Sequence, residues 1–270
     1  MIKLIASDLD DTLLDRNVQV SAKNKEAITK ALDEGIFFTI ATGRMYQATA
    51  PFAKALGLDP QQALICYNGA LVRRLSGEVI YEQPLSTELS SLIADYGQRQ
   101  GWTINAYFDD ELYVSSLNQD VRDYAKHVKV GVTAVGDLVK FIEDGSKRLS
   151  KMMIISEPEQ TLERIEELRP LVGEGCQLLR SRPKFIEITN SQAHKGNALL
   201  WLAQSLGIEV DEVMAIGDSQ NDITMIKMAG FGVAVANASQ EVQAAADHVV
   251  ASHHDDGVAQ AIATLALQPR

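Results

Sequence analysis

Ile2-Lys3-Leu4-Ile5-Ala6-Ser7-Asp8-Leu9-Asp10-Asp11-Thr12-Leu13-Leu14 is a strand-length apolar run that stops in three carboxylates within four positions and then turns apolar again. Nothing about packing a core asks for that interruption. A short apolar run without alternation reads as a parallel strand buried on both faces, and open α/β sheets bind their ligands beyond the carboxyl ends of such strands. If the extended geometry lasts one more step, Asp8 and Asp10 face the same small volume. Carboxylates held that close repel, raising one pKa, unless a proton or a cation lies between them. A hard divalent ion resolves the conflict. Mg²⁺ takes oxygen ligands, needs only one or two protein carboxylates, and leaves positions for water and phosphate. The competing reading is a solvated acidic turn or a helix N-cap, so the rest of the chain must decide.

With 270 residues, 46% of them hydrophobic and 23% charged, the chain falls in the globular class and is long enough for one large domain or two modest ones. A net charge of −11 argues against a nucleic-acid surface, because phosphate backbones select basic faces. It leaves room for a small phosphorylated substrate, which a metal and a few local cations can hold. Cys66 and Cys176 lack metal-ligand spacing and read as buried free thiols, which suits a reducing cytoplasm. The first residues show no signal-peptide pattern, and no window reads as a membrane span. A cytoplasmic protein, monomeric or weakly dimeric, is the expectation.

From Ser21 to Glu34 an Ala27, Ile28, Ala31, Leu32 stripe predicts a helix capped by Ser21. Ile36 to Ala41 is a second apolar strand, and it ends in Thr42-Gly43-Arg44. Tyr46 to Leu56 reads as a helix, and Ala63 to Tyr67 as a strand ending in Asn68-Gly69. The rhythm then changes: two short runs flank Ser76-Gly77 as a hairpin, and helices alternate with hairpins as far as Thr189. After Asn190 the first texture returns. A helix opens at Lys195-Gly196, and Val213 to Ile216 is a strand ending in Gly217-Asp218-Ser219-Gln220-Asn221-Asp222. Helices and short strands alternate to the end. The chain is therefore expected to be α/β: a Rossmann-like, doubly wound, mostly parallel core made of residues 1–83 and 190–270, interrupted by an inserted α+β domain at 84–189.

Four polar clusters stand where strands end or helices begin: Asp8/Asp10, Thr42-Gly43, Lys195-Gly196 and Asp218/Asn221/Asp222. Each has a duller explanation alone, as a cap, a turn or a surface lysine. Together they supply what phosphoryl transfer to an aspartate requires. A carboxylate can attack phosphorus and split hydrolysis into two steps, and a divalent cation neutralises the anions that must approach. A lysine, a hydroxyl and a backbone N–H hold the equatorial oxygens, and a second carboxylate moves the proton.

The series Asp8-Leu9-Asp10-Asp11-Thr12, Thr42-Gly43-Arg44, Lys195-Gly196 and Gly217-Asp218 with Asn221-Asp222 resembles the four motifs of the haloacid dehalogenase superfamily. The insert and the Tyr67-Asn68-Gly69-Ala70 turn are similar to its Cof-type subfamily of sugar-phosphate phosphatases. The resemblance implies an inserted cap domain of the C2B type and a Mg²⁺ cofactor. It implies Asp8 as nucleophile, Asp10 as general acid/base, and Thr42 and Lys195 as catalytic phosphate-holding groups. Mg²⁺ would sit on Asp8, the Asp10 carbonyl and Asp218. Leu9, Thr42, Gly43, Arg44, Lys195 and Asn221 would bind substrate, with Asp222 orienting Lys195 or a water from behind. Where the family commonly has glycine this chain has Asp11; aspartate tolerates left-handed backbone better than most residues, so the loop is expected to keep its geometry.

Two other readings compete: a phospho-aspartate receiver-like signalling module, and a phosphomutase of the same superfamily. Receivers place the nucleophile on a later strand, and the third strand here ends in Asn68-Gly69 with no aspartate. His253-His254-Asp255-Asp256 looks like a ligand cluster, but adjacent residues rarely point at one ion, and the stretch precedes a helix. Arg180, Arg182 and Lys184 form either a solvated basic edge or a set of cations for a phosphate ester.

Overall fold

A computed structural model describes residues 1–144 and 147–267. The chain divides into two compact units, Met1–Tyr81 with His194–Arg270, and Glu82–Ala193.

The first unit is built on a five-stranded, all-parallel sheet. Its spatial order is His248–Val250, Phe231–Val235, Val213–Gly217, Leu4–Ser7, Phe37–Ile40. The two central strands are buried along their whole length, which is why their sequences run apolar without alternation. Helices close each crossover. Ala22–Asp33 starts where Ser21 Oγ accepts the Asn24 N–H, and it buries Ala27, Ile28 and Ala31. Lys195–Ser205 packs Ala198, Leu199, Leu202 and Ala203 against Leu4, Ala6, Val213 and Ala215. This is a Rossmann-like sheet, as the sequence pattern implies.

Ala63–Cys66 departs from the simple strand count. It meets the parallel sheet through the single Ala41–Ile65 bridge and pairs antiparallel with Leu71–Arg74. Together with Val79–Glu82 these form a separate three-stranded sheet. The Thr39 hydroxyl, which donates to the Ala63 carbonyl at 2.8 Å, bonds where a backbone ladder would otherwise continue.

The inserted unit is α+β. Its six-stranded sheet runs in the order Cys176–Arg182, Phe185–Asn190, Lys151–Ile155, Thr103–Phe108, Glu111–Val114, Val132–Ala134. Helices Thr87–Arg99, Leu138–Glu143 and Thr161–Val172 pack on one face through Ile93, Ile142, Ile165 and Leu168 against Ile104, Met152, Ile154 and Ile186. The strand at Val132 and the helix at Leu138 are absent from the sequence reading. Three and six residues are too few to show a period.

Candidate active site

Strand register explains why residues far apart in number meet. Leu4–Ser7 lies between Val213–Gly217 and Phe37–Ile40, with Ser7 opposite both Ile216 and Ile40. The pairing continues past the strand ends: the Asp8 N–H donates to the Ile216 carbonyl at 2.8 Å and the Ala41 N–H to the Ser7 carbonyl at 2.9 Å. Asp8, Thr42 and Asp218 therefore leave the sheet side by side at its carboxyl edge, where such sheets hold their ligands.

Lys195 joins them from the first turn of its helix. His194 caps that helix by accepting the Asn197 N–H on Nδ1 at 3.1 Å. Burial lowers the pKa of His194, which keeps the imidazole neutral and that acceptor available. The Lys195 ammonium is fully buried and donates to Asp8 Oδ1 and to Asp222 Oδ1, each at 2.6 Å. The other oxygen of Asp222 accepts the Asp218 and Ser219 N–H groups at 3.0 and 2.9 Å. Asp222 lies directly on Gly217, where an added Cβ would stand 2.5 Å from the Asp222 Cβ, so the strand must end in glycine. Asp218 accepts one hydroxyl on each oxygen, from Thr12 at 2.9 Å and Ser219 at 2.8 Å.

The charges do not balance. Asp8, Asp218 and Asp222 each bring an oxygen within 4.8 Å of the others, against the single positive charge of Lys195. Burial foremost, opposed by Lys195 and reinforced by Asp222 and Asp218, pushes the Asp8 carboxyl well above the usual range. Burial and then Asp222 push Asp218 to about 6. Burial works against the Lys195 ammonium too, but Asp222 and Asp8 outweigh it and hold the proton on. Such a group is short of a cation, and its donors are the hard oxygens Mg²⁺ prefers. Asp222 is already engaged by the lysine and two amides, so Asp8 and Asp218 are the carboxylates with lone pairs to offer. The residues present fit the ion.

Asp10 is placed differently from the extended-strand expectation. The strand ends at Ser7, and the next residues turn, with the Leu13 and Leu14 N–H groups both returning to the Leu9 carbonyl. The Asp10 carboxylate is instead gripped by Arg44, Nε to Oδ2 at 2.8 Å and Nη2 to Oδ1 at 2.5 Å, with that guanidinium 5.4 Å from the Phe52 ring centre. Leu9 buries its side chain in the core, so it meets the site through backbone alone. The Thr42 hydroxyl is buried and accepts the Arg44 N–H at 3.1 Å, which leaves its own proton to donate. The Asn221 amide donates to Asn68 Oδ1 at 2.9 Å.

Asn68, which the sequence places in a turn but not among the site residues, meets the site through Asn221. Tyr67, Asn68 and Gly69 hold φ of 52°, 57° and 97°, three left-handed residues in succession. The turn receives Thr42 and Arg44 through their carbonyls, which accept the Asn68 and Tyr67 N–H groups at 3.0 Å. On its other side Gly69 lets the His194 carbonyl approach to 2.4 Å from where a Cβ would stand. The signal was present: Asn-Gly is the dipeptide that favours positive φ. Arg180 and Arg182 are exposed, and Lys184 lies 4.0 Å from Glu157. His253 and His254 stack on each other at 3.7 Å; the His253 Nδ1 contacts the Leu14 carbonyl and His254 Nε2 accepts from Arg16.

An open parallel sheet whose carboxyl edge gathers carboxylates around a buried lysine is the arrangement of a Rossmann-like enzyme that handles phosphoryl groups. The chain belongs to the haloacid dehalogenase-like hydrolases, of the Cof type, the family model matching residues 5–262. It is 37% identical to the YxeH protein of Bacillus subtilis (strain 168) over 271 residues, which cover 99% of each chain. It is 31% identical to the 5-amino-6-(5-phospho-D-ribitylamino)uracil phosphatase YcsE of the same organism, over 97% of this chain and 94% of that one. The crystal structure of TM0651 from Thermotoga maritima superposes with a TM-score of 0.89 at 28% identity, over 99% of both chains. The protein is a phosphatase of small phosphorylated compounds. Among the described residues, no helix is long and apolar enough to cross a membrane.

Proposed function

We propose that this protein is a Mg²⁺-dependent phosphatase of small phosphorylated metabolites, sugar phosphates foremost, working through an aspartyl-phosphate on Asp8. The observation that carries the reading is the Asp8 carboxylate, buried, 2.6 Å from the Lys195 ammonium and grouped with Asp218.

Mg²⁺, held by Asp8, the Asp10 carbonyl and Asp218, would supply positive charge that lets a carboxylate and a phosphate dianion approach. Asp8 then attacks phosphorus; its carboxyl oxygen forms the new P–O bond as the ester P–O bond breaks. Lys195 donates to the phosphoryl oxygens while Asp222 fixes its ammonium from behind, and the Thr42 hydroxyl and the Gly43 amide provide further donors. Arg44 and Asn221 stand beside the same edge and contact the phosphorylated substrate. For Asp10 to act, its bidentate pair with Arg44 has to open, which frees the guanidinium for substrate and lets a protonated Asp10 give its proton to the departing alkoxide. Asp10 next takes a proton from the water whose oxygen bonds to phosphorus as the P–O bond to Asp8 breaks, so inorganic phosphate leaves and both carboxyl groups return to their starting state. YcsE is named for a ribityl phosphate, a polyol chain ending in a phosphate ester, and that supports sugar-like substrates here.

The test is phosphate release from a panel of sugar phosphates with Mg²⁺ or with chelator, alongside hydroxylamine capture of the acyl phosphate. Turnover that needs Mg²⁺, vanishes in Asp8→Asn and yields a hydroxamate at Asp8 supports the reading. Undiminished turnover in Asp8→Asn, or in chelator, refutes it.

A further inference from the structure

We infer that Asn237 is a positioning residue for the reaction: its side-chain amide pins the left-handed turn at Asp11 and thereby sets the loop that carries Asp8, Asp10 and Thr12. The inference rests on the proposed reading of Asp8 and Asp218 as the reacting edge.

Asp11 sits at φ 58°, in the region where a side chain is disfavoured. Asn237 follows the strand Phe231–Val235 and donates from Nδ2 to the Asp11 carbonyl at 2.8 Å. Its orientation is fixed from the other side, because Oδ1 accepts the His253 N–H at 2.9 Å. One amide therefore ties the Asp11–Thr12 peptide to the His253 turn. A second tie lies beside it, where His253 Nδ1 meets the Leu14 carbonyl at 2.7 Å. With the carbonyl of Asp11 held, the next residue, Thr12, places its hydroxyl 2.9 Å from Asp218 Oδ1. The preceding peptide, which carries the Asp10 carbonyl, is set by the same φ. Asn237 and Asp218 also line one shallow depression with Ser219 and Glu241. A glycine at position 11 would reach this turn without strain. An aspartate reaches it at some strain, and the amide of Asn237 holds the peptide there.

Asn237 and Asp11 are both exposed, so removing the amide opens the Asp11 carbonyl to water; His253 is buried, and its N–H loses a partner. The experiment compares wild type, Asn237→Ala, Asp11→Gly and the double variant, with p-nitrophenyl phosphate as substrate and Mg²⁺ varied. Thermal unfolding of each variant confirms folding. Asn237→Ala should lower kcat roughly three- to tenfold and raise the Mg²⁺ needed for half-activation by a similar factor, with KM little changed. In the Asp11→Gly background the same substitution should cost less than about twofold. Wild-type kcat and Mg²⁺ response in Asn237→Ala overturn the inference, and so does an undiminished loss in the Asp11→Gly background. Should Asn237→Ala fail to fold, Asn237→Ser is read the same way. Absence of turnover in wild type would instead count against the proposed function, so the two failures are distinguishable.

Discussion

Replacing Lys195 by methionine removes the ammonium while keeping the length and apolar stem of the side chain. In the native protein that ammonium is fully buried and lies 2.6 Å from one oxygen of each of two buried carboxylates. Breaking a buried pair by deleting one partner costs about 3–5 kcal/mol, because the remaining charge is left without water or counter-ion. Here two carboxylates are stranded, with Asp218 adding to their repulsion. The metal-free variant should therefore lose about 3–5 kcal/mol near neutral pH, on the order of 10 °C in the unfolding of this unit. Its kcat on p-nitrophenyl phosphate should fall roughly 100- to 1000-fold, the usual cost of one lost oxyanion donor. The sign with pH is fixed. A carboxyl whose folded pKa lies above its unfolded value binds its proton more tightly when folded, so its contribution is intact below the unfolded pKa and is lost as pH rises through the folded one. Asp8 and Asp218 are already shifted upward in wild type, Asp218 to about 6, and losing Lys195 removes a cation that opposes both shifts. The stability deficit of Lys195→Met should thus shrink as pH falls from 8 to 5. Guanidinium unfolding curves at both pH values measure it. A variant within about 1 kcal/mol of wild type at pH 8, or a deficit that widens on acidification, refutes the reasoning.

Three further outcomes are expected. Mg²⁺ should raise the unfolding temperature of wild type by mass action, and Asp218→Asn should blunt that rise; an equal rise in both removes Asp218 from the ion's ligands. Asn68→Gly should keep the left-handed turn and lose the side-chain amide that accepts from Asn221, whereas Asn68→Ala should also pay about 1 kcal/mol of backbone strain; equal unfolding temperatures for the two contradict this. Cys176 is buried in the inserted unit, and burial pushes its thiol up to about 11. It should react with Ellman's reagent at pH 8 far more slowly than after denaturation, and comparable rates would show it to be accessible.

How much of this was legible beforehand depends on what each feature rests on. Ile2 to Ala6 announced a buried parallel strand because both faces of that strand meet apolar side chains, leaving no alternation to confuse the pattern. The meeting of Asp8 with Asp218 was not readable as geometry, since it depends on Ser7 lying opposite Ile216, a register that no local pattern encodes. The motif resemblance carried that step. Arg44 was read as a cation for substrate, and the sequence held no sign that Asp10 would occupy its guanidinium. Aspartate at position 11 was expected to keep the loop, and its φ of 58° shows the left-handed turn in place. What holds that turn comes from residue 237, on an element no local reading connects to it.

The central strand Leu4–Ser7 has both its neighbours in the sheet, but one of them, Val213–Gly217, is made only after the whole of the inserted unit. A ribosome that has released the amino-terminal half has therefore produced half a ladder and an acid-rich tip that meets Arg44 but not yet Lys195. The inserted unit closes its own six strands from residues between Thr103 and Asn190, so it can condense while the earlier segment waits. Chains cut short before Asp218 lack both Asp218 and the Asp222 that pairs with Lys195, so under the proposed reading synthesis order itself keeps an unfinished product from meeting substrate in working form.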